Sequence, residues 1–176
     1  MRPTISRRTL LLSSLLIAAC ATGAARPGPV DTETRAMIYG HIDGPKAVQA
    51  VELAKMMSPR RPKAFVNERG DFVFHDVEPG DYGLLRFGAD GQWYYLLTGD
   101  KENNKRFIVK ATAGGVHYAG SWRVTGEKDN RFTPDEFSIE RVESPSRQTV
   151  LERLRPVLVG TGWERKVGGA KGKSGG

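Results

Sequence analysis

The side chains of this sequence that could carry out acid–base or metal chemistry are few and widely spaced. The chain has three histidines, His41, His75 and His117, and one cysteine, Cys20. On an extended strand, His41 and Asp43 would lie on the same face, an arrangement that fits two metal ligands or a base with its orienting carboxylate. No histidine spacing matches a zinc or hydrolase signature. We therefore expect no catalytic residue, no metal and no cofactor.

A second group of candidate residues is the aromatic run Trp93, Tyr94 and Tyr95. Tryptophan and tyrosine rings combine an apolar face with a polar tip, so they can stack on a flat ligand such as a sugar ring. Trp93 and Tyr94 are thus candidates for binding a glycan or another envelope polymer. The alternative, and the commoner case, is a strand that the rest of the fold covers on both faces.

The third candidate is Cys20, which closes a short apolar run. A single cysteine can form no internal disulfide in an exported protein, so its thiol needs another explanation. The segment Ile17-Ala18-Ala19-Cys20 resembles the lipobox of bacterial lipoproteins. The resemblance implies that a thioether links Cys20 to diacylglycerol, that signal peptidase II cuts before it, and that the new amino group carries a fatty acid such as palmitate. The expected partner is the lipid bilayer.

Residues 1–19 have the layout of a bacterial export signal, with a basic start followed by an apolar run from 10 to 19. That run is about half as long as the roughly 20 residues of a membrane-spanning helix. The segment Ser6-Arg7-Arg8-Thr9-Leu10-Leu11 resembles the twin-arginine export motif, and general secretion is the alternative route. Ala21 stands where many inner-membrane lipoproteins have Asp. The resemblance therefore implies the outer membrane, with the domain facing the periplasm.

The formal net charge of +7 suggests a nucleic-acid partner at first, but most of this charge lies outside the predicted domain. Cleavage after residue 19 removes three arginines and leaves +4, and the segment 164–176 contributes +3 of that remainder. The folded part is nearly neutral, so it lacks the basic surface that nucleic acids require. We expect no nucleic-acid partner.

The elements that must position the candidate residues are short strands. Residues 20–34 are rich in small residues and proline, which predicts a flexible tether. From 35 to 142, apolar runs alternate with turn residues, a pattern typical of an all-β domain. We predict a mainly β protein with a single antiparallel β-sandwich of about seven to nine short strands and one C-terminal helix. In one run the alternation predicts a shared face for Val116, Tyr118, Gly120, Trp122 and Val124.

Residues 65–82 carry a clear local signature of the fold, with the sequence FVNERGDFVFHDVEPGDY. Gly70 can take the positive φ of a tight hairpin turn. Phe72 and Phe74 are predicted to face one way, and Tyr82 to pack back on the core. This segment resembles the central motif of carboxypeptidase-regulatory-like, or transthyretin-like, β-sandwich domains. The resemblance implies a scaffolding, adhesion or accessory module without catalysis.

The C-terminal part is predicted to contain a helix and a tail. Residues 143–159 form the helix, because serines at its start offer a cap and Val150 and Leu154 lie on one apolar stripe. This helix is expected to pack on the sandwich. Residues 160–176 are predicted to be a disordered basic, glycine-rich tail.

The sequence thus predicts a membrane-anchored lipoprotein that serves as a non-enzymatic structural or binding module of the cell envelope. Besides the bilayer, its partner would be another envelope protein or polymer. Two alternatives stand beside this interpretation. One is a glycan- or envelope-polymer-binding protein that uses Trp93 and Tyr94, and the other is a metal-dependent periplasmic enzyme at His41 and Asp43.

Overall fold

The computed structural model describes residues 27–125 and 137–168 of the 176-residue chain. It is mainly β, with two sheets packed as a sandwich and a helix at the C-terminal end, which confirms the predicted fold class. The strands are β1 (Ala36–Asp43), β2 (Val48–Lys55), β3 (Phe65–Val66), β4 (Asp71–Val77), β5 (Gly80–Ala89), β6 (Gln92–Tyr95), β7 (Ile108–Ala111), β8 (Val116–Thr125) and β9 (Ser138–Val142). The helices are α1 (Lys101–Asn104), α2 (Arg147–Leu158) and α3 (Trp163–Gly168), with a 3₁₀ turn at Lys105–Phe107.

The first sheet has the strand order β3-β4-β1-β8-β9. In the second sheet, β5 pairs with β2 along one edge, and along the other edge with β7 at its start and β6 at its end. The β1 and β8 strands run parallel, so the prediction of a purely antiparallel sandwich is wrong at this pair. Parallel neighbours need a crossover connection. The chain from β2 to β7 provides it, and this stretch builds the second sheet and also adds β3 and β4 to the first.

The larger hydrophobic core lies between the two sheets. Phe72 and Phe74 of β4 both belong to it, as the sequence predicts, with their ring centroids 5.9 Å apart. Tyr82 of β5 packs into the same core and donates its hydroxyl to the carbonyl oxygen of Glu78 at 2.8 Å. Burying one such aromatic side chain stabilises the fold by roughly 2–3 kcal/mol. Together with Trp122, which is fully buried, these rings hold the sheets against each other.

A second core lies between the outer face of the first sheet and the C-terminal helices. Val150 and Leu154 of α2, the predicted apolar stripe, are buried in one cluster with Met37 and Val73 of the sheet. Ser146, the residue before α2, caps the helix, because its side chain accepts the backbone N–H of Thr149. The first sheet is therefore covered on both faces, whereas the second has one face exposed to solvent.

The side chains on one face of the predicted strand β8 pack into different cores in its first and second halves. Val116 and Tyr118 pack on the helix side, whereas Trp122 and Val124 belong to the core between the sheets. The register with β1 shifts by one residue just after Tyr118, where Gly120 has a φ of 109°. Such a bulge moves every later side chain to the opposite face. The prediction of a single face for this strand is wrong for that reason.

The first part of the predicted tail, residues 160–168, is ordered. Residues 160–168 belong to the fold, because α3 buries Trp163 in the second core. The indole N–H of Trp163 donates to the carbonyl oxygen of His75 at 2.6 Å. The prediction of a disordered tail from residue 160 is therefore wrong up to residue 168, since a buried aromatic ring with a satisfied N–H fixes this segment.

The predicted tether is attached to the domain over its second half. The backbone N–H of Val30 donates to the carbonyl oxygen of Thr161 at 3.0 Å. Lys166 Nζ donates to the carbonyl oxygen of Thr32 at 2.7 Å. Residues 27–34 thus lie against α3. A flexible tether remains a prediction for residues 20–26 alone.

Residues 1–26, 126–136 and 169–176 lie outside the described residues. The predicted export signal, the lipobox with Cys20 and the end of the predicted tail fall within these segments. Within the two described ranges, no helix combines the length and the apolar character that crossing a bilayer requires.

Candidate functional site

His41 and Asp43, paired in the sequence as possible metal ligands, have different partners in the structure. His41 is buried, and its Nδ1 lies 2.8 Å from Oδ1 of Asp71, its register partner on β4. Asp43 Oδ2 lies 3.7 Å from Nε of Arg123, its register partner on β8. The fold therefore does not join His41 and Asp43 into one site. Residues 27–125 and 137–168 contain no group of three or more His, Cys, Asp or Glu side chains that could hold a metal ion.

Asp71 is the centre of a closed polar cluster. The side-chain amide of Asn67 donates to its Oδ2 at 3.0 Å, and Nη1 of Arg153 lies 3.6 Å from its Oδ1. Burial alone would raise the pKa of Asp71, but the hydrogen bonds from His41 and Asn67 outweigh burial and hold the pKa below the ordinary value of an aspartate. Both carboxylate oxygens are engaged, so this cluster stabilises the β3–β4 hairpin.

The other two histidines lie apart from this cluster and from each other. His117 Nε2 accepts the backbone N–H of Thr112 at 3.0 Å. Burial lowers the pKa of His75 below its ordinary value, against a smaller opposing effect of Asp76. The three histidines thus have separate local roles and do not converge on one cavity.

Strand β6 lies at an edge of the second sheet, and its aromatic residues point alternately inward and outward. Tyr94 is 5% exposed and stacks on Phe87 with ring centroids 5.0 Å apart, while Phe137 meets it edge-on at 5.5 Å. Trp93 and Tyr95 are 39% and 51% exposed. The predicted pair Trp93 and Tyr94 is therefore wrong, because neighbours on a strand face opposite ways. The interpretation of a strand covered on both faces is also wrong.

Trp93 and Tyr95 belong to a surface that crosses β2, β5 and β6 in two rows, which we call the aromatic face. Each row contains three residues in register across the strands: Ala50, Gly88 and Trp93 in the first row, and Glu52, Arg86 and Tyr95 in the second. The indole ring of Trp93 lies over Gly88, because a Cβ built at that glycine would be in ordinary contact with Trp93 Cζ3, at 3.5 Å.

Arg86 connects the two exposed rings. Its guanidinium carbon lies 4.1 Å from the centroid of the Trp93 ring and 5.4 Å from that of Tyr95. Its Nη1 donates to the hydroxyl of Tyr95 at 2.9 Å, and its Nε donates to Glu52 Oε2 at 2.7 Å. The hydrogen bond with Glu52 raises the pKa of Arg86 above its ordinary value, which is already high enough for a guanidinium to be charged throughout the working pH range.

Glu52 is a carboxylate held almost entirely out of water, with 2% of the residue exposed. Besides its hydrogen bond with Arg86, its Oε1 lies 3.9 Å from Nζ of Lys63. A buried carboxylate is costly unless it is paired, so Glu52 fixes Arg86 in one orientation. A buried charge on another strand therefore holds the guanidinium in place between the two exposed rings.

The aromatic face has the chemistry of a sugar-binding surface. Its rings offer apolar area for the C–H side of a pyranose, and the Tyr95 hydroxyl and the guanidinium are polar groups for its hydroxyls. A guanidinium has more N–H donors than its two bonds here use. The sequence could have identified Tyr95 from the period-two alternation of a strand, but Arg86 and Glu52 join the site only through the strand register.

A separate cleft of about 470 Å³ lies beside α2. Its polar groups bond mainly to each other and to the fold: Arg147 Nε donates to the Tyr39 hydroxyl at 3.1 Å, and Arg155 Nη2 donates to the carbonyl oxygen of Val167 at 3.3 Å. The Nε of Arg155 is buried without a hydrogen-bond partner among the described residues. Because that atom is buried, it is not presented to a ligand in the cleft.

No protein-family model matches this chain, and no curated protein matches its sequence. A DUF3823 family protein from Bacteroides ovatus aligns with 63% of this chain and 59% of its own, at 15% identity and a TM-score of 0.32. A candidate carbohydrate binding protein from Bacteroides uniformis aligns with 65% of this chain and 54% of its own, at 18% identity and a TM-score of 0.30. A DUF3823 family protein from Parabacteroides merdae aligns with 65% and 60%, at 12% identity and a TM-score of 0.29.

The chain thus spans less than two thirds of the length of each of these three solved proteins. Similarity at these identities and TM-scores assigns neither a family nor a function to the chain. The function has to be argued from its own residues.

Proposed function

We propose that this protein is a non-enzymatic binding module of the cell envelope, anchored by lipid at Cys20, whose aromatic face binds a glycan. The observation that carries the proposal is the exposure of Trp93 and Tyr95 side by side on an edge strand, with Arg86 held between them. Large exposed rings are a cost to a soluble surface, and a rigid pair of them with polar groups alongside is the usual makeup of a ligand contact.

A sugar ring would use the two rows of the aromatic face in different ways. In the first row, the indole of Trp93 lies over Gly88 and offers an exposed stacking surface. Along the second row, Tyr95 and Arg86 would bond to hydroxyl groups. Because Glu52 already pairs with Arg86, the surface carries no strong net charge, and the proposed ligand is a neutral glycan.

The anchoring part of the proposal rests on the sequence of the first 20 residues. A lipobox at Ile17-Ala18-Ala19-Cys20 would give the mature chain acyl groups on its first residue. Each buried methylene contributes about 0.8 kcal/mol, so two or three chains on one residue would make anchoring effectively permanent. Mass spectrometry of the protein from its own membranes tests this. An unacylated chain that begins elsewhere, or a Cys20→Ser variant that stays in the membrane, would contradict it.

The non-enzymatic part of the proposal rests on the histidines and acids. His41 bonds to Asp71, and Asp43 faces Arg123, so the metal-dependent alternative at His41 and Asp43 has lost the pairing that suggested it. Zinc and iron analysis of the purified protein gives an independent check, because a stoichiometric metal that is lost in a His41→Ala variant would restore that alternative.

The glycan part is tested by binding of the purified protein to immobilised envelope polysaccharides. Trp93→Ala and Tyr95→Ala are expected to reduce binding by roughly tenfold or more each, since loss of one stacking contact removes about 1–2 kcal/mol. Ile108→Ala is the matched control, because Ile108 is also 39% exposed and lies on β7, which pairs with β5 along the same edge as β6. Binding that is equal in all three variants would reject the aromatic face as the site.

A further inference from the structure

The loop of residues 56–64, between β2 and β3, carries two exposed apolar side chains. Met56 is 53% exposed, and Met57 is exposed as fully as in an extended peptide, at 104%. Met57 also has a φ of 62°, a left-handed conformation that L-residues with side chains adopt rarely and at an energetic cost. Met57 thus combines an exposed apolar side chain with an unfavourable backbone conformation. At this exposure its side chain adds no packing to the described domain.

The same loop is basic. It contains Arg60, Arg61 and Lys63 and has no acidic residue. The side chains of Arg60 and Lys63 are 73% and 70% exposed, although Arg60 bonds to Glu78 at 2.9 Å. Arg61 is exposed, and its Nη1 donates to the backbone carbonyls of residues 58 and 60. Exposed methionines flanked by cations are the composition of a segment that enters the headgroup region of an anionic membrane.

The loop lies at the end of the sandwich where the N-terminal chain enters. Arg35, the residue before β1, has its Nη1 3.8 Å from Oε1 of Glu78, and the same oxygen accepts from Arg60. The N-terminal chain therefore passes α3 at residues 30 and 32 and then enters β1 at the side of this loop. The end of the loop runs back along β2, where Lys63 pairs with Glu52. Trp93 is opposite Gly88, near the other end of β5, so the Trp93 end of the aromatic face lies away from residues 56–61.

We propose that the loop 56–64 contacts the surface of an anionic phospholipid bilayer. The side chains of Met56 and Met57 enter the interfacial region, while Arg60 and Arg61 face the phosphates. This contact orients the domain and keeps the Trp93 end of the aromatic face away from the bilayer. It rests on the proposed function in one respect, since the lipid anchor is what keeps the loop close to the membrane.

The test uses the mature chain of residues 20–176 carrying Cys20→Ser, which has no acyl group and so reports on the loop alone. Its sedimentation is measured with vesicles of phosphatidylcholine alone and of an equimolar mixture with phosphatidylglycerol, at low and high sodium chloride. We expect binding to the anionic vesicles that high salt weakens. Met57→Ser is expected to lower the partition coefficient by roughly tenfold, and Arg61→Gln by roughly fivefold.

Val159→Ser is the matched control, because Val159 is an exposed apolar residue, 66% exposed, at the end of α2. It is expected to bind vesicles like the unmodified chain. Binding that needs phosphatidylglycerol but is unchanged by Met57→Ser would overturn the proposal, since that result describes a site for polyanions. Equal sedimentation with both kinds of vesicle would overturn it too. A failure of acylation at Cys20, seen by mass spectrometry, leaves these readings unaffected, so the two proposals fail separately.

Discussion

The guanidinium of Arg86 is the link between the exposed ring of Trp93, 4.1 Å from it, and the buried carboxylate of Glu52. The three residues come from β5, β6 and β2. The aromatic face at the edge of the sandwich is thus held in place by a charge that is closed off from water. A substitution of Glu52 should therefore change the surroundings of Trp93. If the exposed residues of this surface were independent of one another, it would not.

The first prediction concerns this buried charge. Arg86→Ala leaves the Glu52 carboxylate without its main partner, and we expect a loss of roughly 2–3 kcal/mol in the free energy of unfolding. The estimate is below the range for fully buried pairs because the Arg86 side chain is 25% exposed. Adding Glu52→Gln to Arg86→Ala should recover part of the loss, as measured by urea denaturation. Equal stability of the single and double variants would mean that the pair does not hold the surface.

The second prediction separates the two rings that the sequence places together. Tyr94→Ala should cost roughly 3–5 kcal/mol, because Tyr94 is buried between Phe87 and Phe137. Trp93→Ala should cost about 1 kcal/mol or less, since much of its ring is already in water. Thermal unfolding of the two variants gives the comparison. A Trp93→Ala variant as unstable as Tyr94→Ala would show that Trp93 serves the core.

The third prediction is a pH dependence at Asp71. Its pKa in the folded protein lies below the value of about 4 that it has in the unfolded chain. The folded state therefore holds this proton less readily, so the stabilisation from Asp71 is complete above about pH 5 and is lost as the pH falls through the folded-state pKa. Asp71→Asn should be less stable than the wild type at neutral pH. Its free energy of unfolding should also fall less than that of the wild type as the pH is lowered. Urea midpoints measured from neutral to acid pH check this.

Asn67→Ala serves as the companion to Asp71→Asn, because it removes one of the hydrogen bonds that lower the pKa of Asp71. Its acid decline should be intermediate between those of the wild type and Asp71→Asn. An Asp71→Asn variant with the full decline of the wild type would assign the acid sensitivity to other carboxylates.

The fourth prediction concerns the bulge in β8. Gly120 has a φ of 109°, and a Cβ there would lie 3.0 Å from Nε1 of Trp122. Gly120→Ala should therefore destabilise the protein by roughly 1–3 kcal/mol. Gly99→Ala is the control, because no atom lies within 4 Å of a Cβ at that position. If the two variants are equally stable, the bulge does not depend on glycine.

The parts of this fold that the sequence predicts are those fixed by neighbouring residues. The hairpin at Gly70, the shared face of Phe72 and Phe74 and the apolar stripe of α2 all follow from local pattern. The face of Trp122 relative to Tyr118 does not, because one bulged residue reverses it. A period of two cannot reveal where such an insertion lies.

The site was less predictable than the fold for a related reason. The partners of His41 and of Trp93 are set by which strands become neighbours, and those strands are distant in the chain: His41 meets Asp71, and Arg86 meets Glu52 from 34 positions away. Composition identified Trp93 as a candidate ligand contact. The register then replaced Tyr94 with Tyr95 and added the charged pair.

The central claim, that the aromatic face binds a glycan, is tested most directly by acrylamide quenching of tryptophan fluorescence. Trp122 and Trp163 are fully buried, whereas Trp93 is 39% exposed, so the quenchable signal comes mainly from Trp93. Titration with the envelope glycan retained in the immobilised assay is expected to protect this signal from acrylamide. Protection should be absent in Trp93→Ala and weakened in Tyr95→Ala. A glycan that binds the protein while quenching of Trp93 stays unchanged would contradict the account.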